Sequence, residues 1–190
     1  MDLNGIPVIM IPLRDGIYLS NIRETDKAAL CKYLQAKEIH DNTLTIPHPY
    51  HESDAEEWLR LRLDHNLRVG AEVSLAIRNR NDEMIGSVGA DNLEPGSSHR
   101  GELGYWLAVP YWGRGIMTDA LRAYINYAFE QLQVTRLVAN VFESNLASSR
   151  VLERSGFKLE GRLRQHYLKN GRLMDARVYG LLKDEAEGRQ

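Results

Sequence analysis

The feature that most constrains this chain is the junction Val109-Pro110-Tyr111-Trp112-Gly113-Arg114-Gly115-Ile116-Met117-Thr118. An apolar strand pattern ends, two glycines spaced two apart force a tight turn, and a long helical pattern begins at once. Glycines permit unusual dihedrals and let a ligand approach the backbone closely. The first turn of the helix leaves N–H groups without intrahelical partners and carries partial positive charge. Such a junction suits a phosphate or pyrophosphate. It is not a Walker loop, since Gly-Lys-Ser/Thr is missing. It is a poor dinucleotide fingerprint too, with Thr118 in the third glycine position. On its own it is equally a strand-to-helix turn that merely needs flexible residues.

The rest of the chain fits a mixed α/β pattern. Ile6 to Arg23 reads as two short strands around Arg14-Asp15-Gly16. Asp26 to Ile39 carries apolar residues at helical spacing after an N-cap at Thr25. His40 to His51, with Pro47 and Pro49, loses the pattern. Ser53 and Glu56 make a capping box for a helix through about Asn66. Strands follow at Glu72–Arg78, Met84–Ala90 and Gly101–Val109. The helix after the junction runs to about Gln133 and presents Met117, Leu121, Tyr124 and Ala128 on one face. Arg136 to Phe142 is a buried strand, and Asn145 to Ser155 a short helix stopped by Gly156. A closing hairpin turns at Asn170-Gly171. The polar residues from Asp184 on read as a frayed tail, and 1–190 as one domain.

Composition narrows the function. Twenty-four basic against twenty-six acidic residues give a net charge of −2, which argues against a dedicated nucleic-acid binder. One cysteine, Cys31, excludes an intrachain disulfide and a thiolate zinc site. The apolar stretch Ile6–Leu13 is short and broken by Pro7 and Pro12, so neither a membrane span nor a signal peptide is expected, and a cytoplasmic protein is. His48 and His51 have metal-like spacing, but Pro49 intervenes and no cluster joins them; no metal is expected.

The runs Glu102-Leu103-Gly104-Tyr105-Trp106-Leu107 and Trp112-Gly113-Arg114-Gly115, then Asn145 with Ser148 and Gly156-Phe157, resemble the GNAT acetyltransferases, and within them the RimJ/RimL type. The resemblance implies a central mixed sheet splayed at an acetyl-CoA cleft and flanked by about four helices. It places the pyrophosphate of acetyl-CoA on the amides of Gly113, Arg114, Gly115, Ile116, Met117 and Thr118, with Trp112 opening that loop. The pantetheine arm would pair with the strand ending at Leu107 to Val109, and Asn145 would hydrogen-bond it. Asn145 is also a good helix cap without any ligand. Met117 is bulkier than the family pattern, which crowds the helix start. Where many relatives have a proton-donating tyrosine, this chain has Leu152; Ser148 is the replacement by analogy with the RimL branch. Otherwise Ser148 is an unremarkable helix serine.

Acetyl transfer needs an amine that loses its proton, a stabilised oxyanion and a leaving thiolate. Glu102, opening the cofactor strand, is the candidate base; the alternatives are a surface glutamate or a loop histidine acting in its place. A backbone N–H near Val109 would meet the oxyanion. Cys31, among Ala28, Ala29 and Leu30, reads as a small core residue, so direct attack in a ternary complex is expected. The proline-rich loop, with His40, His48, Tyr50 and His51, would line the acceptor mouth. Tyr105 and Trp106 point to opposite faces of one strand, and either one could face the cleft. Asn92 and Tyr167 are weaker acceptor contacts, and Arg162, Arg164, Lys169 and Arg172 a charged face on the last hairpin. The acceptor is a protein N-terminal α-amine or a small amine. The competing class is a non-catalytic acyl-CoA-binding or regulatory module. The resemblance also allows a homodimer.

Overall fold

The computed structural model describes residues 7–91 and 93–188. Among them the strands are β1 (Met10–Pro12), β2 (Tyr18–Asn21), β3 (Ser74–Arg78), β4 (Met84–Asp91), β5 (Arg100–Leu107), β6 (Arg136–Phe142), β7 (Lys158–Lys169) and β8 (Arg172–Leu182). The helices are α1 (Lys27–Tyr33), α2 (Lys37–Asn42), α3 (Glu52–Val69), α4 (Ile116–Glu130), α5 (Leu146–Arg154) and α6 (Lys183–Glu187). The strands form one mixed sheet in the order β1-β2-β3-β4-β5-β6-β8-β7. Every pairing is antiparallel except β5 with β6, the two strands joined through α4.

Alternation sorts the strand residues into two apolar layers. Leu75 and Ile77 of β3 and Leu103 and Leu107 of β5 pack with Leu121, Tyr124, Ile125 and Phe129 of α4. Ala76, Met84 and Trp106 face the other way, onto Leu30 and Leu34 beside α1 and Leu59 of α3. The Tyr124 hydroxyl donates to the Val73 carbonyl at 2.6 Å and that of Tyr127 to Glu72 at 2.9 Å. These two phenols fix α4, and with it the glycine junction, to the start of β3.

Three expectations change. The helix expected over 26–39 is two, parted at Leu34 to Ala36. Leu30 and Leu34 share a face, but Ile39 follows five residues after Leu34 and would be turned well off that face in one continuous helix. The break lets Ile39 be buried in the same layer. Helix α3 starts at Glu52, ahead of the expected Ser53 cap, because the Asp54 carboxylate accepts the His51 N–H at 2.6 Å. Glu56, the expected box partner, is drawn to Lys27 at 3.0 Å. In the tail, 183–187 is helical: the Glu185 carboxylate accepts the Leu182 N–H at 3.2 Å, and Lys183 N–H donates to Thr135 at 3.0 Å. The helices thus number six among the described residues where about four were expected, the additions being short.

Among the described residues, the one deeply buried ion pair joins β3 to the start of α1. Arg78 reaches the Asp26 carboxylate with both terminal nitrogens, at 2.7 and 2.9 Å, and Ser20 Oγ at 2.6 Å. Removing one member strands the other charge out of water, which typically costs about 3–5 kcal/mol. Asp26→Ala should therefore lower unfolding stability by about that amount, read from the denaturant midpoint, with an unchanged fold by circular dichroism.

Candidate active site

β5 and β6 pair only at Arg100–Glu102 with Arg136–Val138. Beyond these residues the strands part, because each keeps its outer neighbour: β5 is paired to β4 from Glu102 through Leu107, and β6 to β8 through Phe142. The opening is a cleft of about 880 Å³. Its walls carry Glu102 to Leu107 of β5, Ala139 to Phe142 of β6, Gly113 and Gly115 to Thr118 of the junction, and Asn145 to Ser148 of α5.

Ala108 N–H donates to Ile85 of β4 at 2.8 Å, so by antiparallel alternation Tyr105 and Leu107 turn their backbone groups toward the cleft. The Leu107 carbonyl is taken by the Trp112 indole N–H at 2.6 Å. Tryptophan at this position thus locks the strand end to the loop. Gly113 and Gly115 have φ of +72° and +78°, in the left-handed region that a side chain disfavours. A Cβ at Gly113 would meet nothing within 4 Å, so the backbone there is open. Arg114 stands over the Tyr111 ring at 5.7 Å and does not line the cleft. Met117 is buried in the α4 layer and also borders the cleft. Ile116 lies in the same layer, while Val109 packs on the α1–α3 side.

Sequence reading missed Arg14. It lies in the β1–β2 turn, its guanidinium nitrogens 3.8 Å from where a Gly115 Cβ would stand, and it donates to Asp119 at 2.8 Å. That pairing strengthens its charge and neutralises the acid in the first turn of α4. Nothing local in the sequence links residues this far apart.

Around Glu102 the structure gathers groups from four elements. Asn140 Nδ2 donates to Glu102 Oε1 at 2.8 Å. Asp91 is the cross-strand partner of Glu102, and Arg62 of α3 pairs with the Asp91 carboxylate while lying 5.6 Å from the Trp58 ring. Burial, and then the Glu102 charge, push the Tyr167 phenol up. Asn140, Asp91 and Arg62 were also missed.

Tyr105 and Trp106 both border the cleft, but they pack on opposite layers. Trp106 fills the α1–α3 layer. Tyr105 crosses to α5, its hydroxyl 2.7 Å from Ser148 Oγ. Asn145 caps α5, its Oδ1 accepting the Ser148 N–H at 3.0 Å, while Leu152 is fully buried. Of the proline-rich loop, the part that lines the cleft is Asn42 to Ile46. Tyr50 is turned into the α1–α3 layer, with its carbonyl held by Gln35. His48 lies against His40 at 5.8 Å between ring centres. Neither Tyr50 nor His48 lines the cleft, which corrects their expected place at the mouth. Asn92 lies outside the described residues. Arg162 is engaged by Glu143 and Asp175. No described helix is long and apolar enough to cross a membrane.

The cap has a measurable consequence. Asn145→Ala should destabilise the protein by about 1 kcal/mol, visible as a lower thermal midpoint.

A family model described as an acetyltransferase (GNAT) domain matches residues 17–158. The chain is 31% identical to "Uncharacterized N-acetyltransferase p20" of Bacillus licheniformis, over 92% of this chain and 97% of that protein. It is 33% identical to the ribosomal-protein-serine acetyltransferase of Escherichia coli K12, over 55% of this chain and 58% of that one. Among solved structures, the RimL ribosomal α-N-protein acetyltransferase in complex with coenzyme A superposes with a TM-score of 0.82, covering 93% of this chain and 99% of that one at 23% identity. The chain belongs to the GNAT family of N-acetyltransferases, with RimJ/RimL-type proteins among its relatives.

Proposed function

We propose that residues 1–190 form one acetyltransferase unit that moves the acetyl group of acetyl-CoA to a primary amine by direct attack in a ternary complex. The observation that carries this reading is the continuous path from the Gly113–Thr118 amides, along the open edge of β5, to the Glu102 carboxylate in the same cleft. The positive φ at both glycines and the open space at Gly113 fit a pyrophosphate on the backbone. The edge at Tyr105 and Leu107, apart from the Leu107 carbonyl that Trp112 holds, fits an amide-bearing arm laid beside it like an added strand.

Acetyl-CoA, when bound, supplies an activated acyl carbon and a thiol leaving group. The rest falls to the chain. Asn145 faces the arm from the mouth of the cleft while capping α5. Asn140 holds one oxygen of Glu102 and leaves the other to take a proton, directly or through water, from the acceptor ammonium. A backbone N–H near Val109 meets the growing oxyanion, and Ser148 gives a proton to the leaving sulfur. The acceptor is an amine, with a protein N-terminus suggested by the ribosomal-protein relative and a small amine as the other case.

Thiol release with acetyl-CoA, measured across peptides and small amines, tests the reading and ranks acceptors. Acetyl-CoA should raise the melting temperature. Gly115→Asp should abolish that rise, because it adds both a strained side chain and a negative charge at the cradle; an unchanged rise would reject the placement. Glu102→Gln should lower kcat about a hundredfold while leaving acetyl-CoA affinity intact. Wild-type turnover across pH would remove Glu102 as the base.

A further inference from the structure

Ser148 is held at two points by different elements. Its N–H is fixed by Asn145, and its hydroxyl oxygen lies 2.7 Å from the Tyr105 hydroxyl, brought from β5 across the cleft. The Tyr105 hydroxyl has its other near partner, the Ser148 carbonyl, at 3.4 Å. One turn further along α5, Leu152 is fully buried and offers no hydroxyl. Ser149 Oγ is buried within α5 without a partner and does not line the cleft. The described hydroxyls of α5 that reach the cleft therefore reduce to Ser148, and its orientation depends on Tyr105.

We propose that Tyr105 is the positioning residue for proton delivery to the leaving thiol: it donates to Ser148 Oγ, turns the Ser148 proton into the cleft and replaces that proton once it is spent. The proposal rests on the acetyl-transfer reading above. Ser148 gives its proton to the sulfur as the carbon–sulfur bond breaks and the electron pair of that bond stays on sulfur. Ser148 Oγ takes the Tyr105 proton in the same movement, and water reprotonates Tyr105. The acceptor nitrogen bonds the acetyl carbon and loses two protons to solvent through Glu102, one before attack and one as the tetrahedral nitrogen becomes the amide; water returns one of them to Tyr105, so ammonium and thioester give amide, thiol and one released proton. The direction is chemically sound, because a phenol is a stronger acid than a serine hydroxyl. Burial pushes the Tyr105 phenol up to about 12, with the Ser148 contact pulling it back, so at neutral pH it is protonated and able to donate.

The test uses the full chain with Tyr105→Phe, Ser148→Ala and the double variant. Tyr105→Phe keeps the ring and its packing, and the melting-temperature rise with acetyl-CoA should match wild type in both single variants. At pH 7, Tyr105→Phe should lower kcat at least tenfold with unchanged KM for both substrates. The deficit should shrink above about pH 9, where a thiol of ordinary pKa near 8.5 leaves as the thiolate and needs no donor. In the Ser148→Ala background, Tyr105→Phe should cost nothing further. Without any ligand, Ser148→Ala should move the 13Cζ resonance of Tyr105, assigned by its loss in Tyr105→Phe. Wild-type kcat in Tyr105→Phe, a deficit constant with pH, additive losses in the double variant or an unmoved resonance would each overturn the proposal while leaving acetyl transfer standing. Absence of turnover in the wild-type chain would instead overturn acetyl transfer, and this proposal with it.

Discussion

Parallel strands β5 and β6 hold one another for three residue pairs and then separate, and the position of every group at the site follows from where they do so. Each strand is committed to its other neighbour, β5 to β4 and β6 to β8, and the sheet's twist carries the two halves apart. An opened edge inside a protein leaves backbone groups without partners, and such groups are costly when buried. The chain answers one of them itself, with the Trp112 indole on the Leu107 carbonyl. The remaining edge lines a cleft large enough for a strand-like ligand. The glycine junction then stands at one end of that edge and Glu102, on the last paired rung, at the other.

Two carboxylates on adjacent strands, Asp91 and Glu102, sit directly across from each other. Like charges so placed repel. The structure divides them between different partners: Arg62 of α3 takes Asp91, and Asn140 of β6 takes Glu102 with a neutral amide. Both acids line the cleft, Asp91 bound to a guanidinium and Glu102 to a neutral amide.

The order of elements and the junction were legible in the sequence because they depend on neighbouring residues: Gly113 and Gly115 in a left-handed turn, Asn145 capping α5, Asn170-Gly171 turning the hairpin. Boundaries failed where distant partners decide them. The split between α1 and α2 comes from the layer that Ile39 must reach, and α6 from Thr135 and Glu185 contacts. The site was half legible for the same reason. Glu102, Ser148 and the cradle stand in local motifs, but Asn140 lies 38 residues from Glu102 and Tyr105 lies 43 from Ser148. The turn carrying Arg14 is 105 residues from Asp119. Tyr50 misled because a proline-rich loop suggests exposure, whereas its ring fills the α1–α3 layer.

Each of these distant groups is held by a bond with a structural use of its own. Asn145 caps a helix, Trp112 closes a strand end, and Tyr124 and Tyr127 moor α4 to the start of β3. Arg14 neutralises Asp119 in the first turn of α4, where an unpaired carboxylate would oppose any anion on the glycine amides. Dipoles and donors fixed in this way would need little reorganisation if charge develops in the cleft as the acetyl-transfer proposal requires, which is the condition under which they act most strongly.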